Sequence, residues 1–149
     1  MNGYHFFDPR MSISAATALN PSDPFSVPFV LSNDGNVSIH CVSYIWIFNS
    51  VESEKGTIFD HVEIRDSRYI RARLYPSEKD TFRCLFARNF ASLRLYLPIK
   101  YADMILRVLY RPSFRFSQQS KYFRFVMQRS TDNQLYWFPQ SLVFSEVSK

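Results

Sequence analysis

From Lys121 to Arg129 the chain reads Lys-Tyr-Phe-Arg-Phe-Val-Met-Gln-Arg, turns through Ser130-Thr131-Asp132-Asn133, and returns as Gln134-Leu135-Tyr136-Trp137-Phe138 to Pro139. Alternation puts Phe123, Phe125 and Met127 on one side and Tyr122, Arg124 and Gln128 on the other, the period of a strand with one face in a core and one in water. A second β-prone run directly after a four-residue turn makes the pair a hairpin. This pattern excludes most helical readings of the segment, and the rest of the chain repeats it.

Met11–Ala15 reads as a first strand, ended by Asn20-Pro21-Ser22-Asp23-Pro24, where two prolines forbid regular pairing. Ser26–Ser32 reads as the next, with Pro28 pointing to an edge or a bulge. Asp34-Gly35 supplies the positive φ that a tight turn needs. Val37–Phe48 is the longest run, with Val37, Ile39, Cys41, Ser43, Ile45 and Ile47 opposing Ser38, His40, Val42, Tyr44, Trp46 and Phe48. Residues 49–67 lose the pattern and read as a polar connection. Strands resume at Tyr69–Tyr75, Thr81–Phe86, Ser92–Leu97 and Ala102–Tyr110. About eight short strands separated by turn signals predict an all-β, antiparallel β-sandwich. The expected core includes Phe29, Leu31, Ile39, Ile45, Phe82, Leu106, Val108, Phe123 and Phe125.

At 149 residues, with no internal repeat or low-complexity tract, the chain reads as one domain, 1–149, with residues 1–9 and 141–149 as tails. The longest apolar run, Cys41–Phe48, is far shorter than a membrane span. The first residues lack the basic start and apolar stretch of a secretory leader. Cys41 and Cys84, the only two cysteines, both lie in strand-like segments; they read as two buried thiols or one disulfide. The Cys–Trp–Cys spacing of antibody domains is not met, because Trp46 follows Cys41 by only five positions.

Charge divides the chain. Residues 1–64 hold two basic and seven acidic side chains, and residues 65–149 hold sixteen basic and six acidic, mostly arginine among the basic ones. Arginine suits forked contacts with carboxylate or phosphate and stacking on aromatic rings. Arg71 and Arg73 are two apart on one strand, Arg107 and Arg111 four apart on another, so each pair shares a face. Together with Arg124 they form the expected partner-binding face.

Nothing else points to chemistry. His5, His40 and His61 sit in no catalytic motif. The three glycines, Gly3, Gly35 and Gly56, form no phosphate-cradling loop, and the Cys, His and carboxylate positions lack metal-ligand spacing. The chain therefore reads as a non-enzymatic protein-interaction module with no cofactor and no metal. The alternative is binding of nucleic acid or another polyanion through the arginine-rich half. Against it, Phe123 and Phe125 oppose Arg124 on their strand, whereas stacking platforms put rings and charges on one open face.

The succession Asn20-Pro21-x-x-Pro24-Phe25-x-x-Pro28-Phe29, Ser32-Asn33-Asp34-Gly35, Leu74-Tyr75-Pro76-Ser77-Glu78, Tyr110-Arg111-Pro112 and Phe123-Arg124-Phe125-Val126, with Gln134-Leu135-Tyr136-Trp137-Phe138-Pro139, resembles a group of small uncharacterised bacterial proteins. The resemblance spans roughly residues 10–140. It implies an immunoglobulin-like sandwich and a place in the bacterial cell envelope, since such proteins often carry an N-terminal membrane helix. This chain lacks that helix, and it has Trp46 where those relatives often have a cysteine.

Overall fold

The computed structural model describes residues 10–19, 24–53, 56–84, 99–132 and 134–142. These form eight strands: β1 (Met11–Ala15), β2 (Phe29–Asn33), β3 (Ile39–Ser53), β4 (Gly56–Leu74), β5 (Lys79–Phe82), β6 (Ile99–Pro112), β7 (Gln119–Arg129) and β8 (Leu135–Gln140). A single 3-10 turn, Pro24–Ser26, precedes β2. The strands make two sheets, β1-β2-β5 and β4-β3-β6-β7-β8, and every pairing is antiparallel. Among the described residues no helix is long and apolar enough to cross a membrane.

One hydrophobic cluster joins the sheets. Phe29, Leu31 and Phe82 enter it from the three-stranded sheet, and Tyr44, Trp46, Phe48, Met104, Leu106, Phe125, Met127 and Trp137 from the five-stranded one. Phe29 is the hub: its ring centroid lies 5.6 Å from Trp46, 5.3 Å from Phe125 and 5.9 Å from Phe82, spacings at which aromatic pairs add to plain area burial. Tyr44 stacks on Phe82 at 3.9 Å and donates its hydroxyl to Asp80 at 2.8 Å, so its polar tip is satisfied at the sheet junction. Asn33, fully buried, donates to the carbonyls of Val37 and Leu74 and accepts from the Gly35 amide. It ties the bend at Asp34-Gly35 to the end of β4; this bend passes from one sheet to the other instead of closing a hairpin, and Gly35 is not among the residues with positive φ.

Several expectations change. Strict alternation through Val37–Phe48 fails at Cys41, which has a φ of 54°; the register of β3 shifts against β6 between His40 and Ser43, and against β4 just after, between Val42 and Tyr44. This bulge keeps Ile39 inward and then sends Val42, Tyr44, Trp46 and Phe48 inward as well. Cys41 is exposed rather than buried, and it is not bridged to the buried Cys84. Ile45 is buried but stands outside the main cluster, on the sheet face opposite Trp46. Phe123 is only partly buried, packed at the cluster's margin; the other predicted core residues are buried within it.

The polar connection expected at 49–67 is instead the tip of a long β3–β4 hairpin. Its period of two is visible only in exposure, with Val62 and Ile64 half-buried between exposed His61, Glu63 and Arg65. Pro28 stands just before β2, where it removes no ladder donor, and β2 is the central strand of its sheet rather than an edge. β5 ends at Phe82, short of the predicted Phe86, which lies outside the described residues. So do the predicted strand Ser92–Leu97 and the tails at 1–9 and 143–149.

Candidate interaction surface

The face of the five-stranded sheet turned away from the core carries Arg73, Arg107, Arg111 and Arg124. His40 of β3 is in register with Arg73 of β4 on one side and Arg111 of β6 on the other. Their chain neighbours Ile39, Leu74 and Tyr110 are buried in the core, so alternation points all three outward. Side chains directly opposite one another on one face sit about 5 Å apart at Cβ. Two guanidinium groups therefore flank one imidazole across three strands.

The electrostatics agree with that placement. His40 is held below the ordinary imidazole pKa first by burial and then by the charges of Arg111 and Arg73. Arg73 donates through Nη1 to the Tyr75 hydroxyl at 2.6 Å, and its guanidinium carbon lies 5.3 Å from the Tyr75 ring centroid. Arg111 donates through Nη1 to the carbonyl of Arg115 at 3.1 Å. Among the described residues neither Arg73 nor Arg111 is paired with a carboxylate, and each guanidinium has further donors to offer.

The other predicted arginines lie on the same sheet but are engaged differently, and Arg71 does not share the face of Arg73 as expected: it is in register with Val42, which the irregularity at Cys41 turns into the core. Arg71 donates through Nε to the Arg73 carbonyl and forms a 3.4 Å ion pair with Glu78. Arg107 donates through Nε to the Ser120 hydroxyl at 3.0 Å and lies over the Tyr122 ring at 5.6 Å. Arg124 makes a two-pronged contact with Asp103, at 3.0 and 2.8 Å. Two of the five, Arg71 and Arg124, are thus neutralised by carboxylates, and the sheet carries a row of cations rather than one five-arginine patch.

Sequence reasoning missed two members of this face. His40 reads as an ordinary strand histidine because cross-strand register is invisible in a one-dimensional chain. Arg65, exposed and in register with Ile45, was hidden in the segment read as a loop; the alternation of Val62 and Ile64 with Glu63 and Arg65 was the signal available. Among the described residues no group of three or more His, Cys, Asp or Glu side chains could hold a metal ion.

No protein-family model matches the chain, and no curated protein matches it. Among solved structures it is similar to the crystal structure of a Bordetella pertussis protein with the provisional name ApaA, at 15% identity and a TM-score of 0.49, over 81% of this chain and 93% of that one.

Proposed function

We propose that the protein is a non-enzymatic interaction module, an immunoglobulin-like β-sandwich that holds an acidic partner protein on the outward face of its five-stranded sheet. The Arg73–His40–Arg111 row carries this reading. Arg73 and Arg111, brought to either side of His40 without a carboxylate among their described contacts, repel one another and disfavour protonation of the imidazole between them. An acidic ligand relieves that repulsion, and the same field steers it in. Arg73 and Arg111 are already hydrogen-bonded to Tyr75 and to the Arg115 carbonyl, so less ordering is needed on binding than for free side chains.

Poly-glutamate is the probe for this face. The wild type binds it with a steep loss as salt rises, and Arg73→Ser with Arg111→Ser removes binding while leaving the melting temperature within about 2 °C, as expected for exposed charges. The His40 pKa, followed by NMR, rises when the carboxylates bind, because the anion opposes the two arginines. Unchanged binding by the double variant, or an unmoved His40 pKa, sinks the proposal. Binding of single-stranded oligonucleotide with no binding of poly-glutamate at low salt would transfer the face to the nucleic-acid reading.

A further inference from the structure

The end of the five-stranded sheet next to this row exposes three aromatic rings. Ile39 begins β3 and is in register with Leu74 at the end of β4 and Pro112 near the end of β6, so the residues that follow those two leave the sheet on the same side. The distance between β4 and β6 is about two strand spacings, ~10 Å. Tyr75 follows Leu74 and is 48% exposed; in the β6–β7 loop Phe114 is 45% exposed and Phe116 is 99% exposed. A phenylalanine held almost wholly in water is unfavourable, and this one stands two residues from another.

The loop is held against the sheet. The Ser113 amide donates to the Ser38 carbonyl at 3.1 Å, and the Arg115 amide to the Pro112 carbonyl at 3.0 Å. Its rings come with cations: Arg115 lies over the Phe114 ring at 5.6 Å, Arg73 over Tyr75 at 5.3 Å, and Arg111 holds the Arg115 carbonyl. The carboxylates of the neighbouring turns are engaged locally. Glu78 accepts from Arg71 and from the Tyr75 amide, and Asp34 accepts from Ser32.

We infer that this end of the sheet docks on the surface of an anionic lipid bilayer. Phe116 and Phe114 enter the interface while Arg73, Arg111 and Arg115 meet the negatively charged headgroups. A hairpin tip is convex, and a convex apolar knob ringed by cations fits a deformable acceptor that is negative at its surface and apolar a few ångströms below. A folded protein would need a socket shaped for the knob. A nucleic-acid strand stacks successive bases on a run of open ring faces, and two of these three rings, Phe114 and Tyr75, each already carry a guanidinium over one face. The inference goes beyond the acidic-partner reading: it shares Arg73 and Arg111 with it but stands on the rings.

The test is co-sedimentation with vesicles of phosphatidylcholine with and without phosphatidylserine, alongside poly-glutamate binding. The wild type should sediment with the phosphatidylserine vesicles only. Phe114→Ser with Phe116→Ser should weaken that partition by at least about tenfold, leaving poly-glutamate binding and the melting temperature intact because both rings are outside the core. Arg115→Ser should weaken it by about fivefold and reduce its salt dependence. No sedimentation of the wild type at low salt, or full sedimentation of the double phenylalanine variant, overturns the inference. So does loss of single-stranded oligonucleotide binding, rather than vesicle binding, in that variant. Loss of poly-glutamate binding on replacing Arg73 and Arg111 bears on the acidic-partner reading alone, so the two ideas fail separately.

Discussion

Replacing Arg124 by alanine separates arginines that serve the fold from arginines that serve a partner. Arg124 of β7, opposite Ile105, reaches diagonally to Asp103 of β6, with side chains only 19% and 12% exposed, and two hydrogen bonds join them. Breaking a fully buried pair by removing one partner costs about 3–5 kcal/mol, because the other charge is left unpaired away from water. Exposed pairs are worth less than about 1 kcal/mol. The remaining water access here places the loss between these, at about 2–3 kcal/mol, which for a chain of this size lowers Tm by roughly 5–10 °C. Denaturant unfolding of the wild type, Arg124→Ala, Asp103→Ala and the double variant forms a cycle in which the double variant should lose clearly less than the two single losses added together. The aliphatic stem of Arg124 also packs, but its loss enters both arms and cancels from the coupling. Arg71→Ala is the control: its pair with Glu78 is 44% and 38% exposed, so it should cost under about 0.5 kcal/mol. A loss below about 0.5 kcal/mol for Arg124→Ala, or strict additivity in the cycle, would refute the argument.

Tyr44→Phe should cost about 1–2 kcal/mol at neutral pH by leaving Asp80 without its donor. Burial first, and then Asp80, raise the Tyr44 pKa far above the ordinary phenol value, so the stability that this group contributes is present below about pH 10 and is lost as pH rises beyond it. Urea unfolding above pH 10 should therefore show the gap between wild type and Tyr44→Phe narrowing by up to about 1.4 kcal/mol per pH unit; a constant gap would reject the assignment. Asn33→Ala removes two donated hydrogen bonds and one accepted one at a fully buried site, for an expected loss of about 2–4 kcal/mol in thermal or denaturant unfolding; a loss under about 1 kcal/mol would show that the turn holds without it. A thiol reagent such as DTNB should label Cys41 in the native protein and Cys84 only after unfolding, with no change in Tm on adding reductant. Labelling of neither thiol in the native state would contradict the exposure of Cys41.

What the sequence made legible and what it hid follow from the range of the interactions concerned. The β7–β8 hairpin and the inward Phe29, Leu31, Phe82 and Phe125 are local patterns, since a period of two needs only near neighbours. Fixed pairing partners are not local. Asp103 and Arg124 are 21 positions apart, and their contact removes one arginine from a surface that charge counting alone had assigned to a partner. The β3–β4 hairpin was obscured because between residues 61 and 65 the exposed side chains are His, Glu and Arg and only Val62 and Ile64 lie between them, so a real alternation resembled a polar loop.

The central case is Cys41. Continued without interruption from Ile39, alternation would turn Cys41, Ser43, Ile45 and Ile47 to the core and Tyr44, Trp46 and Phe48 to water. One residue at φ 54° reverses the parity. The left-handed conformation of a residue with a Cβ costs of order 1 kcal/mol, whereas each large aromatic moved from water to the core gains several times the burial of a small side chain. The tertiary structure therefore outweighs the local preference. The same bulge has a consequence on the other face. It leaves His40 outward with Ile39 inward immediately before the shift, in register with Arg73 and Arg111, while the residues after it deliver Tyr44 to Asp80 and Trp46 to Phe29. The core face of β3 beyond Cys41 thus follows from one backbone irregularity, placed directly after the candidate surface. A reader of the sequence who keeps strict alternation through it must misplace the core face of β3 beyond Cys41, and a reader without the register cannot know that His40 has two arginines beside it.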